Sequence, residues 1–459
     1  MTATHTRFIS LVFMAAVAVN AQQASDSSSL TIGQAVEQAL QNYPGIRVTQ
    51  EQMNAAAAGI RLARTAYLPR AEGLLQANRA TRNTYYGLLL PQTIIPSVDG
   101  VPAHNFGSVW DSGVGLLVTW QPFDFGLRHA AVLTATAAEE QAHAAVSKTR
   151  HDISVATADA FLTLIAAQQT AEAAHAAVES WQVLLKSIHA LVNAQLRPGA
   201  DESRVQAELA LAQTQEAQAD QAIEVARATL AQFTGVSSPA VQAGKLLTQL
   251  PREEPQSPPN LAANPAAAQQ NATVALERSR LQELERTYYP QFTLGGTASA
   301  RGTGLELNGH RLGGWNGLAP TVPNLGVGLT VTFPFTDRFA LREQKAAQAA
   351  NLRAAQAQFE VIAKNLQSQF DAALATLHGA RRVAQITPAE VAAAQTAFDE
   401  ARARYQSGLA PVDDLAQAQR VLVSARIDDA LGRLNVWRAL LELDAARGNV
   451  QPFLDEVSR

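Results

Sequence analysis

The sequence predicts a mainly α-helical chain with a small membrane β part, written as two tandem repeats of helix, β-hairpin and long α-helical hairpin. Three observations carry this expectation. The same landmarks recur in the same order in both halves, short segments alternate apolar with small residues, and two very long alanine-rich stretches read as helix.

The landmarks come first. Asn42-Tyr-Pro44 precedes a helical stretch ending in Tyr67-Leu-Pro69, and Asn264-Pro265 precedes another ending in Tyr288-Tyr289-Pro290. Pro44 to Pro69 and Pro265 to Pro290 are the same 25-residue step. The segment from Gly113 to Phe123 (GVGLLVTWQPF) returns as Gly326 to Phe335 (GVGLTVTFPF), and each copy then launches a long helix, at Arg128 or Arg342. The first copy spans 22–235, the second 265–450, and 451–459 form a tail. Between the copies, 236–264 carries Pro239, Pro251, Pro255, Pro258 and Pro259, which suits a flexible linker or a surface band equally.

The amino terminus reads as an export signal over 1–21. His5 and Arg7 precede the apolar run Phe8 to Val19, and Val19-Asn20-Ala21 offers a small-x-small cleavage site. That run covers about 18 Å as helix, too short for a hydrocarbon core of about 30 Å. There is no cysteine, so disulfides, thiolate metal sites and a lipidated cysteine are not expected. No later stretch is apolar for long enough to predict a transmembrane helix. An exported chain of this kind either stays in the periplasm or crosses a membrane as strands.

Four strands are expected near 70–80, 113–123, 291–301 and 326–335. Val327, Leu329, Val331, Phe333 and Phe335 alternate with Gly328, Thr330, Thr332 and Pro334, and Val114, Leu116, Val118 and Trp120 repeat the pattern. The earlier strand of each copy alternates less cleanly, with Glu72, Gln76 and Asn78 expected to face a lumen. On alternation alone, a soluble antiparallel sheet under a helix fits as well as a membrane sheet. Aromatics at the strand ends tip the balance towards an interface girdle: Trp110, Trp120, Phe123, Phe333 and Phe335, with Phe125, Tyr288, Tyr289 and Phe339 nearby. Four strands cannot close a wall, because open edges in lipid leave backbone groups unpaired. A homo-oligomer is therefore required, although physics alone does not set the number. The segments between the strands, 81–111 and 302–324, are the expected extracellular loops.

Arg128 to Arg197 contains neither glycine nor proline. Such a stretch makes a rod of about 105 Å that must pack lengthwise against neighbours. Pro198-Gly199 ends it, and a return helix runs over about 201–234. The second rod, 342–406, turns at Ser407-Gly408 and returns over about 412–447. Thr387-Pro388-Ala389-Glu390 has the form of a capping box with proline at the first helical position, which predicts a kink or re-start.

This arrangement resembles the TolC family of outer membrane efflux proteins. The phrases that carry the resemblance are Asn42-Tyr-Pro44, Tyr67-Leu-Pro69, Trp120-Gln-Pro-Phe-Asp124 and Tyr405-Gln-Ser-Gly408 followed by Asp413-Asp414-Leu415. The resemblance implies a homotrimer with a 12-stranded outer-membrane β-barrel continued by a periplasmic α-helical barrel. It implies an exit duct that passively conducts small molecules, working with a periplasmic adaptor and an inner-membrane pump. The adaptor would meet the hairpin tips, here Arg197, Pro198 and Gly199 on the first and Gly408, Leu409, Ala410 and Pro411 on the second. It also implies a pore gate after the second tip. Asp414 falls on the first gate position, whereas the second holds Gln417 and a bracing arginine is replaced by Ala410. Asp413 is adjacent but about 100° around the helix. The simpler account is that Asp413 and Asp414 favour a helix amino terminus.

Other function classes find little support. The charge balance of -4 has no basic block, so no nucleic-acid partner is expected. His143 and His151 lack a completing carboxylate, and no cofactor, metal or catalytic constellation is expected. Gly302-Thr-Gly304 and Gly313-Gly314 lack the residues of a phosphate loop. A protein-secretion duct shares the architecture and stays open as an alternative. A periplasmic coiled-coil adaptor is disfavoured, because it would carry one helical hairpin where this chain carries two.

Overall fold

The computed structural model describes residues 29–81, 106–195, 197–252, 257–306 and 310–458. The expected export signal, most of the first inter-strand loop and residue 196 of the first tip lie outside the described residues. The first half comprises α1 (Ile32–Asn42), α2 (Pro44–Thr65), β1 (Arg70–Thr81), β2 (Ser108–Phe123), α3 (Leu127–Asn193) and α4 (Gly199–Thr234). The second comprises α5 (Pro265–Arg286), β3 (Gln291–Thr303), β4 (Val322–Thr332), α6 (Asp337–Gln406), α7 (Val412–Arg447) and α8 (Gln451–Ser458).

The long helices set the scale. α3 has 67 residues and α6 has 70, each about 100 Å long at about 1.5 Å per residue. Alanine at their contacts lets neighbours approach closely, and α4 packs along α3 as α7 packs along α6. α2 and α5 then continue the return helices. Asn42 Nδ2 donates to the Thr234 carbonyl at the end of α4 (3.3 Å), and the Tyr43 and Phe233 rings lie 5.6 Å apart. Asn264 does the same at the end of α7, donating to the Ala446 carbonyl (3.2 Å) while its side-chain oxygen caps α5 through Ala266 N–H (3.0 Å). Gly235 and Gly448 end α4 and α7 with φ of 76° and 86°, so both return helices close on left-handed glycines.

Several sequence expectations need correction. α3 stops at Asn193 rather than 197, because Gln195 takes φ 58° in the turn. α6 starts at Asp337, before Arg342, and runs unbroken through Pro388, so the expected re-start is absent. Thr387 does not cap a new helix; its hydroxyl donates to Asp429 Oδ1 on α7 (2.9 Å). Packing against α7 at this level, where Gly432 lies beside Thr387, offsets the single hydrogen bond that proline removes. The tail, for which no structure was expected from the sequence, forms α8 and buries Phe453 against Trp437, ring centroids 6.3 Å apart.

The largest apolar core joins α1, the middle of α3, α6, α7 and α8 through Phe161, Leu164, Phe370, Leu434, Trp437 and Phe453. The proline-rich stretch between the halves is tied onto it. Gln249 O accepts from Trp437 Nε1 (3.0 Å), Leu247 O from Arg433 (3.1 Å) and Arg252 O from Arg381 (2.8 Å). The chain near residue 30 adds a parallel bridge, Leu30 with Val241.

The strands form one antiparallel sheet in the order β1-β2-β3-β4. β2 begins at Ser108, inside the expected loop, and ends with a register shift between Trp120 and Phe123 that accommodates Pro122. β4 spans Val322–Thr332 rather than 326–335, since Pro334 has no N–H for the ladder.

A cap substitution tests this assembly of rods. A Cβ at Gly448 would sit 2.7 Å from Pro265 Cδ and 2.9 Å from Asn264 Cα, in a left-handed conformation. Gly448→Ala is expected to destabilise the protein by about 1–3 kcal/mol in thermal unfolding. Gly59→Ala, mid-helix with open space around it, should instead be neutral or stabilising by about 0.5–1 kcal/mol.

Candidate functional site: the sheet faces and the hairpin tips

Register sorts the sheet into two chemically distinct faces. Directly paired residues share a face, and the rows Leu75–Val114–Ala300–Pro323, Leu116–Ala298–Leu325, Val118–Gly296–Val327 and Trp120–Leu294–Leu329 make one side. That side carries no charged side chain between Arg79 at the far end and the Phe123–Phe292 pair at the helix end. Leu325 is 84% exposed and Val327 79%, an apolar surface that no helix among the described residues covers. The other side holds Glu72–Leu117–Thr297–Gly326 and Asn78–Asp111–Thr303, with Gln76, Ser299, Arg301 and Thr330. Glu72, Gln76 and Asn78 thus share the polar face.

The aromatic residues singled out in the sequence fall in two bands. Trp110 lies at the far end of β2. Trp120, Phe123, Phe333 and Phe335 lie at the helix end, where Phe125 packs on Phe123 (4.6 Å) and Tyr289 (5.2 Å). Phe333 and Phe335 stack at 5.6 Å just beyond β4, and Trp120 Nε1 donates to Tyr67 O (3.1 Å). Ten residue steps separate Trp110 from Trp120, about 33 Å of strand, or about 25 Å of bilayer at barrel tilt.

Below this band the strand-to-rod junction is pinned electrostatically. Asp124 accepts from Arg128 Nε (2.7 Å), Arg128 N–H (2.8 Å) and Gly126 N–H (3.1 Å). Burial opposes the charge, but these bonds outweigh it and hold the carboxyl below its usual range. The equivalent turn of the second half, Thr336 and Asp337, has no such buried pair among the described residues.

The two hairpin tips are latched together at the opposite end of the rods. Arg197 donates to the Tyr405 carbonyl (2.5 Å), and its guanidinium lies over the Tyr405 ring at 4.6 Å. The Tyr405 hydroxyl donates to Asp201 (3.3 Å). Burial, together with the Asp201 carboxylate, pushes the phenol up from its ordinary value, so it keeps its proton and serves as donor. Of the other tip residues, Pro198 caps α4 and Pro411 caps α7; Gly408 takes φ 77°, Leu409 is 78% exposed, and Ala410 is buried.

The three gate candidates separate. Asp413 pairs with Arg204 of α4 (3.1 Å). Gln417 accepts from Arg420 (2.9 Å), whose other nitrogen reaches the nearly buried Glu208 of α4 (2.9 Å). Asp414 is exposed in the first turn of α7. Sequence reasoning missed Arg204, Glu208 and Arg420, which tie α4 to α7. Their signal was faint: Arg204 and Glu208 are four apart, as on any solvated helix. Among the described residues no His, Asp or Glu cluster is arranged to hold a metal, and no helix is long and apolar enough to cross a membrane.

An exposed apolar sheet with a polar reverse face, standing on rods of about 100 Å, defines a protein that crosses its bilayer as strands and extends far beyond it. The sequence matches the outer membrane efflux protein family over residues 35–236 and 259–449, and the chain belongs to that family. Solved structures share its fold. The Campylobacter jejuni CmeC outer membrane channel is 14% identical with a TM-score of 0.74, over 93% of this chain and 89% of that one. CusC is 13% identical with a TM-score of 0.75, over 91% and 92%. The outer membrane protein VceC from Vibrio cholerae is 18% identical with a TM-score of 0.70, over 91% and 96%. No curated protein sequence matches the chain. The protein is an outer-membrane channel of the efflux type, reaching into the periplasm, and not an enzyme.

The latch makes a direct prediction. Arg197→Met should loosen the tips and speed chymotrypsin cleavage after Leu409 by about tenfold, the loss of one charged hydrogen bond worth about 1.5 kcal/mol. Tyr405→Phe, which keeps the ring, should give a smaller increase. Unchanged cleavage in both variants would show that the contact does not hold the tips.

Proposed function

We propose that three copies of this chain form a passive exit duct, with twelve strands in one barrel and twelve helical rods in a tunnel below. The observation that carries this is the open four-stranded sheet with one uncharged apolar face, which closes only when other copies extend it. β4 and the segment after it support the joining role: Phe335 is 77% and Phe339 68% exposed, left largely uncovered by the described residues. Family membership supports three as the number. The duct hydrolyses nothing and transports by supplying a path, driven by an inner-membrane pump through a periplasmic adaptor that meets the tips at Arg197–Gly199 and Gly408–Pro411. Small molecules are its cargo. α3 and α6 have the length to carry that path across much of the periplasm.

Asp414 gates the duct in this reading. Asp413, also exposed, is engaged by Arg204 and Gln417 by Arg420, which leaves Asp414 as the exposed carboxylate of that first turn with no ion pair among the described residues. Three copies brought to one narrow ring repel each other and attract cations.

Reconstitution in planar bilayers tests both parts. The wild-type protein should give stable cation-selective conductance. Asp414→Ala should lower the cation preference read from the reversal potential by about two- to fivefold, as expected for partly screened charges worth about 0.5–1 kcal/mol. Conductance with unaltered selectivity would remove Asp414 from the gate, and absence of conductance would remove the duct.

A further inference from the structure

Residues 310–321, which lead into β4, do not simply project away from the sheet. Gly302 shares the apolar face with Ser112 and Ala300 in the β2–β3 register. A Cβ at Gly302 would lie 2.2 Å from Ala319 O and 2.7 Å from Gly317 O, so the backbone of 317–319 lies directly on that face. Ser112, also on this face, is buried, whereas Val114 and Leu116 beside it are exposed. Thr321 N–H bonds Arg301 O (2.9 Å), which fixes the base of the fold-back.

The turn is built to display one side chain. Gly314 (φ 67°) and Gly317 (φ 100°) supply left-handed conformations, Asn316 Nδ2 donates to Gly313 O (2.7 Å), and Leu318 N–H bonds Trp315 O (3.2 Å). At Gly317 a Cβ would meet Trp110 O at 2.1 Å, so only glycine fits there. Trp315 is stacked on Trp110 at 5.9 Å and 13°, yet stays 76% exposed. The Arg79 guanidinium lies 5.5 Å from the Trp110 ring centre, is exposed, and is paired with Trp110 across β1 and β2. A rigidly held, exposed indole beside a cation, at the edge of an uncharged apolar band, matches the headgroup level of a bilayer.

We propose that this segment is a lipid-anchoring flap: it lies on the bilayer side of the barrel wall and presents Trp315 and Arg79 to anionic phosphate headgroups of the outer leaflet. The proposal rests on the reading that the apolar face contacts lipid. β2 and β3 are the inner strands of the sheet, so the flap leaves both strand edges free for neighbouring copies. The glycine pairs that suggested no phosphate loop in the sequence gain a role here, as the hinge points that let backbone lie on backbone.

The chain has no cysteine, so single cysteines report cleanly. Trp315→Cys, Leu325→Cys on the apolar face and Leu409→Cys at the tip are each labelled with bimane. The full chain is then reconstituted in phosphatidylcholine vesicles, with and without phosphatidylglycerol, containing lipids brominated both near the headgroup, at the level of 315, and at mid-chain, at the level of 325 in the Leu116 row. Labels at 315 and 325 should lose most of their intensity while the label at 409 keeps it. Quenching at 315 should deepen with phosphatidylglycerol, and Arg79→Gln should abolish that increment. Gly302→Ala, whose Cβ displaces the flap, should return the 315 label to water without changing 325. Quenching at 325 but not at 315 would overturn the flap and leave the barrel intact; quenching at neither would overturn the barrel reading itself. Equal quenching at 315 in both vesicle types would overturn the phosphate contact. Leu312→Cys serves as the reporter if the 315 variant fails to assemble.

Discussion

The outer edges of β1 and β4 are the constraint from which the rest follows. Among the described residues of one chain, each of these strands has a neighbouring strand on one side only. In hydrocarbon an unmatched backbone N–H or C=O costs several kcal/mol, and a row of them along one edge exceeds the whole stability of an ordinary domain. A sheet with an uncharged apolar face and open edges is therefore a fragment of a wall. Sharing the wall among copies by rotational symmetry removes the edges without adding strands to the chain. It also fixes what hangs below, because each sheet continues directly into rods that must then run side by side.

The rods are adapted to that arrangement by the smallness of their contacts. Ala158, Ala160, Ala171, Ala174, Ala219 and Ala226 are buried between α3 and its neighbours, where larger side chains would push the helices apart. Large residues concentrate in two bands, one around Trp437, Phe161 and Phe453, where the inter-half stretch and α8 wrap the bundle, and a smaller one nearer the tips around Trp181, Ile188 and Tyr405. The two halves use the same joint twice, an asparagine amide on the last carbonyls of a return helix followed by a left-handed glycine. They differ where strands meet rods: Asp124 and Arg128 lock the first junction, and the second leaves Phe333, Phe335 and Phe339 exposed. That asymmetry gives each chain one finished junction and one surface that needs covering.

Much of the fold was legible in the residues because it rests on local signals. Glycine- and proline-free stretches mark helices, Pro198-Gly199 and Ser407-Gly408 mark turns, and period-two alternation marks β2 and β4. What the residues concealed was tertiary. Thr387-Pro388 has every local mark of a helix start, yet α7 packed alongside carries α6 through it. β2 begins five residues before its obvious glycine, because Ser108 to Ser112 pair with β1 in a sequence that looks like loop. At the tips, the resemblance set Asp414 apart from Asp413 by position alone; the pairing of Asp413 with Arg204 on α4 was not legible in the residues. Trp315 gave no periodic signal, since its placement depends on glycines that let one backbone lie across another.

The number of chains per particle tests the central claim most directly. The protein is extracted from outer membranes in mild detergent, and its protein mass is measured by light scattering corrected for bound detergent. The account predicts one species with three times the mass of the mature chain, stable on dilution and sedimenting with outer-membrane lipid before extraction. A stable single chain that keeps its β structure in detergent would contradict it, because four strands would then have found another way to satisfy their edges.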